Sequence, residues 1–312
     1  MTEVDAARLG DAPADHRSGF ACLVGRPNTG KSTLTNALVG TKVAITSPRP
    51  QTTRHAVRGV VHRPDAQLVL VDTPGLHRPR TLLGKRLNDI VRTTLTEVDV
   101  VVCCVPADES VGPGDRFIAA ELARLHRTPT VAVVTKSDLV DRERLARQLV
   151  AVSGLHEWAE VVPVSAVDDF QVALLADLLV RRLPVGPPLY PAGELTDEPE
   201  AVLVAELIRE AALDGVRDEL PHSIAVTVED MQRRSDRPAE RPLLEVFATV
   251  HVERSSQKAI VIGSGGARLK AVGTTARRQV EALLGTPVFL DLHVKVSKDW
   301  QRDPAALRKL GF

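Results

Sequence analysis

The 312-residue chain alternates short apolar runs with longer stretches of helical period. Residues 20–24, 68–71, 100–105, 131–134 and 161–164 are continuous runs of strand length, rich in Val and Leu. Unbroken runs of this kind mark strands buried on both faces. Between them, residues 32–39, 115–125 and 168–182 place apolar side chains at helical spacing. The alternation predicts an α/β domain over residues 19–183, a mostly parallel sheet with helices on both faces. Residues 184–191 then hold four prolines. A helix cannot continue through them, so residues 184–199 are expected to be a semi-rigid Pro-rich linker. Beyond it the rhythm changes to helix (200–213), strand (223–229), strand (243–252), short helix (257–262), glycine turn, helix (267–284) and strand (288–296). That order predicts a second, α+β domain over residues 200–312. Residues 1–18 are acidic and Ala-rich, with no apolar core of a signal peptide, and are expected to form a disordered tail.

Composition narrows the class. Hydrophobic residues make up 44% and aromatic residues only 3%, so the cores must be built from Val, Leu, Ala and Ile. No apolar run approaches the ~18 residues needed to span a bilayer. Cys22, Cys103 and Cys104 all fall inside strand-like runs, as small buried hydrophobes of a reducing cytoplasm would. The nine histidines show no zinc-ligand spacing. The zero net charge hides an asymmetry: residues 254–312 hold eleven Lys or Arg against four Asp or Glu, a net of +7 that the rest of the chain balances. Charge alone fits either a polyanion partner for that end or a solvated basic face.

The chemistry sits at the carboxyl ends of the apolar runs, where open α/β sheets bind ligands. Gly25-Arg26-Pro27-Asn28-Thr29-Gly30-Lys31-Ser32 fits G-x-x-x-x-G-K-[ST] between a strand and a helix. Its glycines allow a tight turn whose N–H groups converge on phosphate oxygens, helped by the positive end of the helix that continues through Thr33. Lys31 would reach the β- and γ-phosphates, and the Ser32 hydroxyl would ligate Mg²⁺. Asp72-Thr73-Pro74-Gly75 ends the second run. Asp72 there can hold Mg²⁺, and the Gly75 N–H can meet a γ-phosphate. Thr135-Lys136-Ser137-Asp138 ends a third run. The Asp138 carboxylate can accept from N1 and N2 of guanine, a donor pair that adenine lacks. Ser165 and Ala166 end a fourth run and can offer a backbone N–H to guanine O6. Residues 46–54 carry two prolines and no apolar period, and read as a mobile loop from which Thr52 or Thr53 can complete the Mg²⁺ shell. Residues 77–87 would form a second switch, with His77 a solvated loop histidine beside it. In the second domain, Gly263-Ser264-Gly265-Gly266 stands between two helices with Arg268, Lys270, Arg277 and Arg278 nearby. A G-x-x-G turn there is the backbone clamp of KH domains, although helix–helix turns use glycine routinely.

Taken together, residues 25–36, Gln51-Thr52-Thr53-Arg54-His55, Asp72-Thr73-Pro74-Gly75-Leu76-His77, Pro221-His222-Ser223 and the glycine turn resemble the Era family of bacterial GTPases over residues 19–312. The resemblance implies a P-loop GTPase domain followed by a type II KH domain. It also implies GTP or GDP with Mg²⁺ as ligands, Thr53 as the switch threonine, and a monomer that binds 16S rRNA and acts in 30S ribosomal subunit biogenesis. Location would be cytoplasmic, with peripheral membrane association. By the same resemblance Asn28 sits where related P-loops hold K⁺. One position differs from Ras-like enzymes in a way that Era-like GTPases share, and two sites depart from the family's pattern. Leu76 stands where Ras-like enzymes carry a water-orienting Gln, which implies slow turnover. Thr135 replaces an Asn whose amide ties this loop to the P-loop, which implies modest nucleotide affinity. Ser264-Gly265 lacks the usual basic residue of the KH loop, which Arg268 and Lys270 are expected to offset. A signalling or transport GTPase whose second domain binds protein is the rival class.

Overall fold

The computed structural model describes residues 13–47, 52–77, 79, 81–214, 223–238 and 242–310. The chain divides into two units. The first comprises residues 1–44, 53–79 and 84–197, the second residues 45–52, 80–83 and 198–312.

In chain order the first unit contains strands β1 (Arg17–Gly25), β2 (Val57–His62), β3 (Ala66–Asp72), β4 (Val100–Pro106), β5 (Thr130–Thr135) and β6 (Glu160–Pro163). Its helices are α1 (Lys31–Val39), α2 (Leu82–Thr96), α3 (Pro113–Leu122), α4 (Arg142–Ser153) and α5 (Val172–Val180). The sheet order is β2-β3-β1-β4-β5-β6. Among the described residues of this sheet, only the edge strand β2 runs antiparallel to its neighbour. Strand pleating sorts each apolar run onto two faces. Ala21, Leu23, Leu68, Leu70, Val102, Cys104 and Val133 pack on one side with Leu34 of α1 and Leu175 of α5. Cys22, Val24, Val101, Cys103, Val105 and Val134 pack on the other with Val91 of α2, Ile118 of α3 and Val152 of α4. The three thiols are buried, and burial pushes each well up, Cys104 to about 12.

Two expectations are revised at the edges of this unit. Strand β1 starts at Arg17, inside the stretch expected to be a disordered tail, because the chain beyond the last helix returns to pair with it. His16 Nδ1 and the Gly186 carbonyl lie 2.9 Å apart, Ser18 Oγ donates to the Pro187 carbonyl at 2.6 Å, and Arg17 Nη1 donates to the Leu183 carbonyl at 2.5 Å. Residues 1–12 of that tail lie outside the described residues. The Pro-rich stretch is likewise tied to the first unit up to residue 197. Gln67 Oε1 accepts from the N–H groups of Leu189 and Tyr190, Val60 N–H donates to the Leu195 carbonyl, and Arg58 and the Tyr190 hydroxyl both reach Asp197. Proline forbids a helix but leaves every carbonyl free to accept. A segment barred from helix can therefore lie as a strap along the sheet edge.

The second unit is α6 (Glu200–Leu213), β7 (Ala225–Arg233), β8 (Leu244–Val252), α7 (Ser255–Ile262), α8 (Ala267–Leu284), β9 (Val288–Val296) and α9 (Pro304–Lys309). Its sheet runs β7-β8-β9, with β7 antiparallel and β9 parallel to β8. The core joins Val204, Ile208 and Ala212 of α6 to Val246, Val250, Val272, Ala276 and Val280. Trp300, fully buried, donates its indole N–H to the Ser223 carbonyl.

Candidate nucleotide site and nucleic-acid interface

The P-loop bends where its residues permit. Asn28 has φ 64° and Gly30 φ 83°, both left-handed, and Gly30 caps α1. A Cβ on Gly25 would sit 2.6 Å from both the Cys104 carbonyl and Thr29 Oγ1, so that position admits only glycine. Lys31 is buried, and its Nζ donates to the carbonyls of Arg26 (2.9 Å) and Gly25 (3.3 Å). Burial holds its pKa below the usual lysine value, opposed chiefly by Asp72. An ammonium held by two main-chain carbonyls is ready to exchange them for phosphate oxygens.

Ser32, Thr53 and Asp72, drawn from three separate motifs, meet. Asp72 Oδ2 accepts from Ser32 Oγ at 2.6 Å and from Thr53 Oγ1 at 3.1 Å, and the two hydroxyls lie 2.9 Å apart. Asp72 is fully buried and its pKa is raised by that burial, against the pull of Ser32, Lys31 and Thr53. Its Oδ1 is buried with no hydrogen-bond partner among the described residues. Two hydroxyls and a carboxylate that keeps one oxygen unpartnered are hard oxygen donors that fit Mg²⁺. Residues 48–51 of the expected mobile loop lie outside the described residues; Thr53, its favoured threonine, is buried in this cluster.

Beside Asp138 lies a cleft of about 390 Å³ lined by Gly30, Thr33, Leu34, Thr135, Lys136, Asp138, Leu139, Val164, Ala166 and Val167. Asp138 is exposed at its lip. Lys136 takes a left-handed φ of 56° and its Nζ reaches Asp108 Oδ2 at 3.4 Å. Leu139 and Val167, 61% and 76% exposed, present apolar faces to the cleft and were not singled out from sequence. Bare aliphatic side chains at the lip of a mostly apolar cleft are what a planar base would cover. Ser165 contributes structure more than contact: its Oγ accepts from Asp168 N–H, and its N–H donates to the Phe170 carbonyl. Thr73 is also spent internally, its Oγ1 donating to the Leu23 carbonyl at 2.6 Å.

Thr135 alters one expectation. Its hydroxyl donates to the Thr29 carbonyl at 2.7 Å, so the tie between this loop and the P-loop survives without an Asn amide. Thr135→Val keeps the shape and removes the donor, leaving a buried carbonyl unpaired at a cost of about 1–3 kcal/mol. GDP affinity is expected to fall roughly tenfold with the preference for guanine over adenine intact, measured by fluorescent-nucleotide titration.

Past β3, a Cβ on Gly75 would lie 2.5 Å from the Pro27 nitrogen, so this loop abuts the P-loop as a γ-phosphate sensor must. The buried Pro74 precedes it. Leu76 donates its N–H to the Gly25 carbonyl and turns its side chain into the core, 2% exposed. His77 is half-buried, its Nδ1 3.0 Å from the Gly75 carbonyl, rather than a solvated loop side chain.

In the second unit the glycine turn has positive φ at Gly263 (74°), Gly265 (55°) and Gly266 (79°). A Cβ at Gly263 would meet Arg268 at 2.7 Å, while those at Gly265 and Gly266 would meet open space. Ser264 and Lys270 are exposed. Arg268 departs from expectation. Its Nη2 donates to the carbonyls of Ala212 and Asp214, so the guanidinium caps the negative end of α6 instead of offering itself at the turn. A cleft of about 620 Å³ lies beside the turn, lined by Lys258, Ile262, Leu269, Leu292, Lys295 and neighbours. Lysines on an apolar floor suit a sugar-phosphate strand and its bases. The two lysines were invisible in sequence because α7 and β9 bring them together only in the fold.

These two halves define a class, a P-loop GTPase domain followed by a KH domain. The family described as "50S ribosome-binding GTPase" matches residues 20–136, and "KH domain" matches residues 219–301. The GTPase Era of Streptomyces coelicolor is 70% identical over 309 residues, covering 97% of this chain and 98% of that one. The GTPase Era of a Nocardioides species is 66% identical over 308 residues, covering 97% and 98%. A crystal structure of Era in complex with MgGDPNP and nucleotides 1506–1542 of 16S ribosomal RNA matches with a TM-score of 0.91 at 36% identity, covering 95% of this chain and 99% of that one. The chain belongs to the Era family of GTPases.

Proposed function

We propose that this chain is a GTP-driven RNA-binding switch that grips 16S rRNA through its KH domain and acts in 30S subunit biogenesis and rRNA maturation. The observation that carries the GTPase half is the convergence of Ser32, Thr53 and Asp72 beside Lys31. The RNA half rests on the left-handed glycine turn and its lysine-lined cleft, and on the RNA complex of the structurally similar Era.

In this reading Gly25, Thr29, Gly30 and Thr33 shape the loop that cradles the phosphates. Lys31 moves from its carbonyls to the β- and γ-phosphate oxygens and offsets charge that spreads over them during in-line attack by water. Ser32, Thr53 and Asp72 would hold Mg²⁺, which supplies further neutralisation of that charge. The Gly75 N–H senses the γ-phosphate; Asp138 and Ala166 read guanine. With Leu76 in the core, the position after Gly75 offers no side chain to orient the water, and intrinsic turnover is slow. The full chain should hydrolyse GTP, and should bind a 3′-terminal 16S rRNA fragment more tightly with GDPNP and Mg²⁺ than with GDP. Equal, weak binding in both states would overturn the switch.

Asn28, exposed at the loop apex, would hold K⁺ against the phosphates as an added positive charge. Turnover in KCl should exceed that in NaCl by about tenfold, and Asn28→Ala should abolish the difference. Equal rates in the two salts for the unmodified chain remove K⁺ from the scheme. We place the chain in the cytoplasm, with part of it at the inner membrane face; among the described residues no helix is long and apolar enough to cross a membrane. Flotation with anionic vesicles tests the peripheral fraction.

A further inference from the structure

The phosphate-loop pattern leaves position 26 open to any residue. Here the Arg26 guanidinium reaches α3 and the turn before it: Nε donates to Asp115 Oδ1 at 2.8 Å and Nη1 to Glu109 Oε2 at 3.0 Å. Asp115 is 3% exposed, and its other oxygen accepts the Gly112 N–H at 2.8 Å, capping α3. Arg26 therefore supplies the counter-charge of a buried carboxylate, an arrangement costly to break from one side. The Arg26 stem crosses Gly114 so closely that a Cβ there would stand 2.5 Å from Arg26 Cδ.

The main chain of the same residue is part of the phosphate site. The Arg26 carbonyl accepts from Lys31 Nζ and, at 3.0 Å, from Thr29 Oγ1. The next residue, Pro27, is the one that meets Gly75. We infer that Arg26 is a positioning residue for γ-phosphate hydrolysis, with Asp115 as its buried anchor. The pair fixes the Arg26–Pro27 main chain against Gly75 and so sets the opening in which the γ-phosphate must fit. GDP does not occupy that opening. Its binding relies on Gly30–Ser32 and the guanine cleft, held by other contacts such as Thr135 to Thr29. This inference rests on the phosphate site proposed above.

Arg26→Met keeps the stem over Gly114 and removes the guanidinium. It should lower kcat for GTP at least about tenfold while GDP affinity stays within about threefold. Adding Asp115→Asn removes the uncompensated buried charge yet keeps an acceptor for Gly112. The double variant should recover thermal stability without recovering kcat, and Arg26→Lys should recover part of kcat. Unchanged kcat in Arg26→Met overturns the inference. So does kcat that recovers in step with Tm in the double variant, or GDP affinity that falls along with kcat. Lys31→Ala, assayed alongside, separates the levels: normal turnover there sinks the phosphate site itself, whereas lost turnover there with an unaffected Arg26→Met sinks only the role of Arg26.

Discussion

Asp138→Asn should weaken GTP and GDP binding by roughly a hundredfold or more and create a preference for xanthosine nucleotides. The carboxylate would accept two N–H groups from guanine, and charge-assisted bonds of this kind contribute about 1.5–3 kcal/mol each. An Asn in its place turns a donating amide toward guanine N1–H and N2–H₂, so donor meets donor. Xanthine offers an oxygen where guanine has its exocyclic amine and accepts that amide. Asp138 is exposed at the cleft lip, so the substitution should leave Tm unchanged. Competition titrations with GDP and XDP measure both effects. Unchanged GDP affinity would mean that the cleft lined by Leu139 and Val167 holds something other than guanine.

Gly266→Asp should cut RNA affinity by tenfold to a hundredfold, at roughly 1.4 kcal/mol per tenfold, while the protein stays folded. Gly266 has φ 79°, so any side chain there costs about 1–2 kcal/mol of backbone strain. Its Cβ would point into open space and collide with nothing. Asp at the N-cap of α8 would also recover part of the strain by capping. What it brings to the turn is negative charge where an RNA phosphate would lie. Fluorescence anisotropy of a labelled 3′-terminal 16S fragment with the full chain reads the loss, and intrinsic GTP turnover should be unaffected. Because Arg268 is committed to α6, Lys258 and Lys295 of the cleft should dominate the salt dependence. Replacing both with Ala should lower its slope by about two, one per phosphate contact. Unaltered RNA binding in Gly266→Asp would move the RNA to another face of the second unit.

The motifs were legible because each is local. Gly25 to Ser32, Asp72 to Gly75 and Thr135 to Asp138 carry their meaning in spacing and in their place at a strand end. Ser32 and Asp72 were legible as Mg²⁺ ligands from those motifs, whereas the choice of Thr53 over Thr52 came from the resemblance to related GTPases. The pairings that set exact geometry were not legible, because they join residues far apart in the chain. Thr135 reaches Thr29, Arg26 reaches Asp115, and Arg268 reaches the end of α6. Nothing around residue 268 distinguishes an arginine that caps a helix from one that awaits a phosphate. The docking of the strap at residues 184–197 was not legible for a related reason. Proline content reports which backbone shapes are barred, while docking depends on acceptors that every residue carries.

Leu76 bears on how this enzyme can change over generations. In a Ras-like enzyme the corresponding side chain stands beside the phosphate, so a Gln there is one codon's worth of catalysis. Here the side chain points away, among Cys22, Val24, Val91 and Val105. Leu76→Gln would bury an amide in that layer, costing about 1–3 kcal/mol for unmet hydrogen bonds, and deliver nothing to the nucleotide. Leu76→Gln is therefore not expected to speed the clock. With this packing the lifetime of the GTP state is left to ions, partners or neighbouring loops to set.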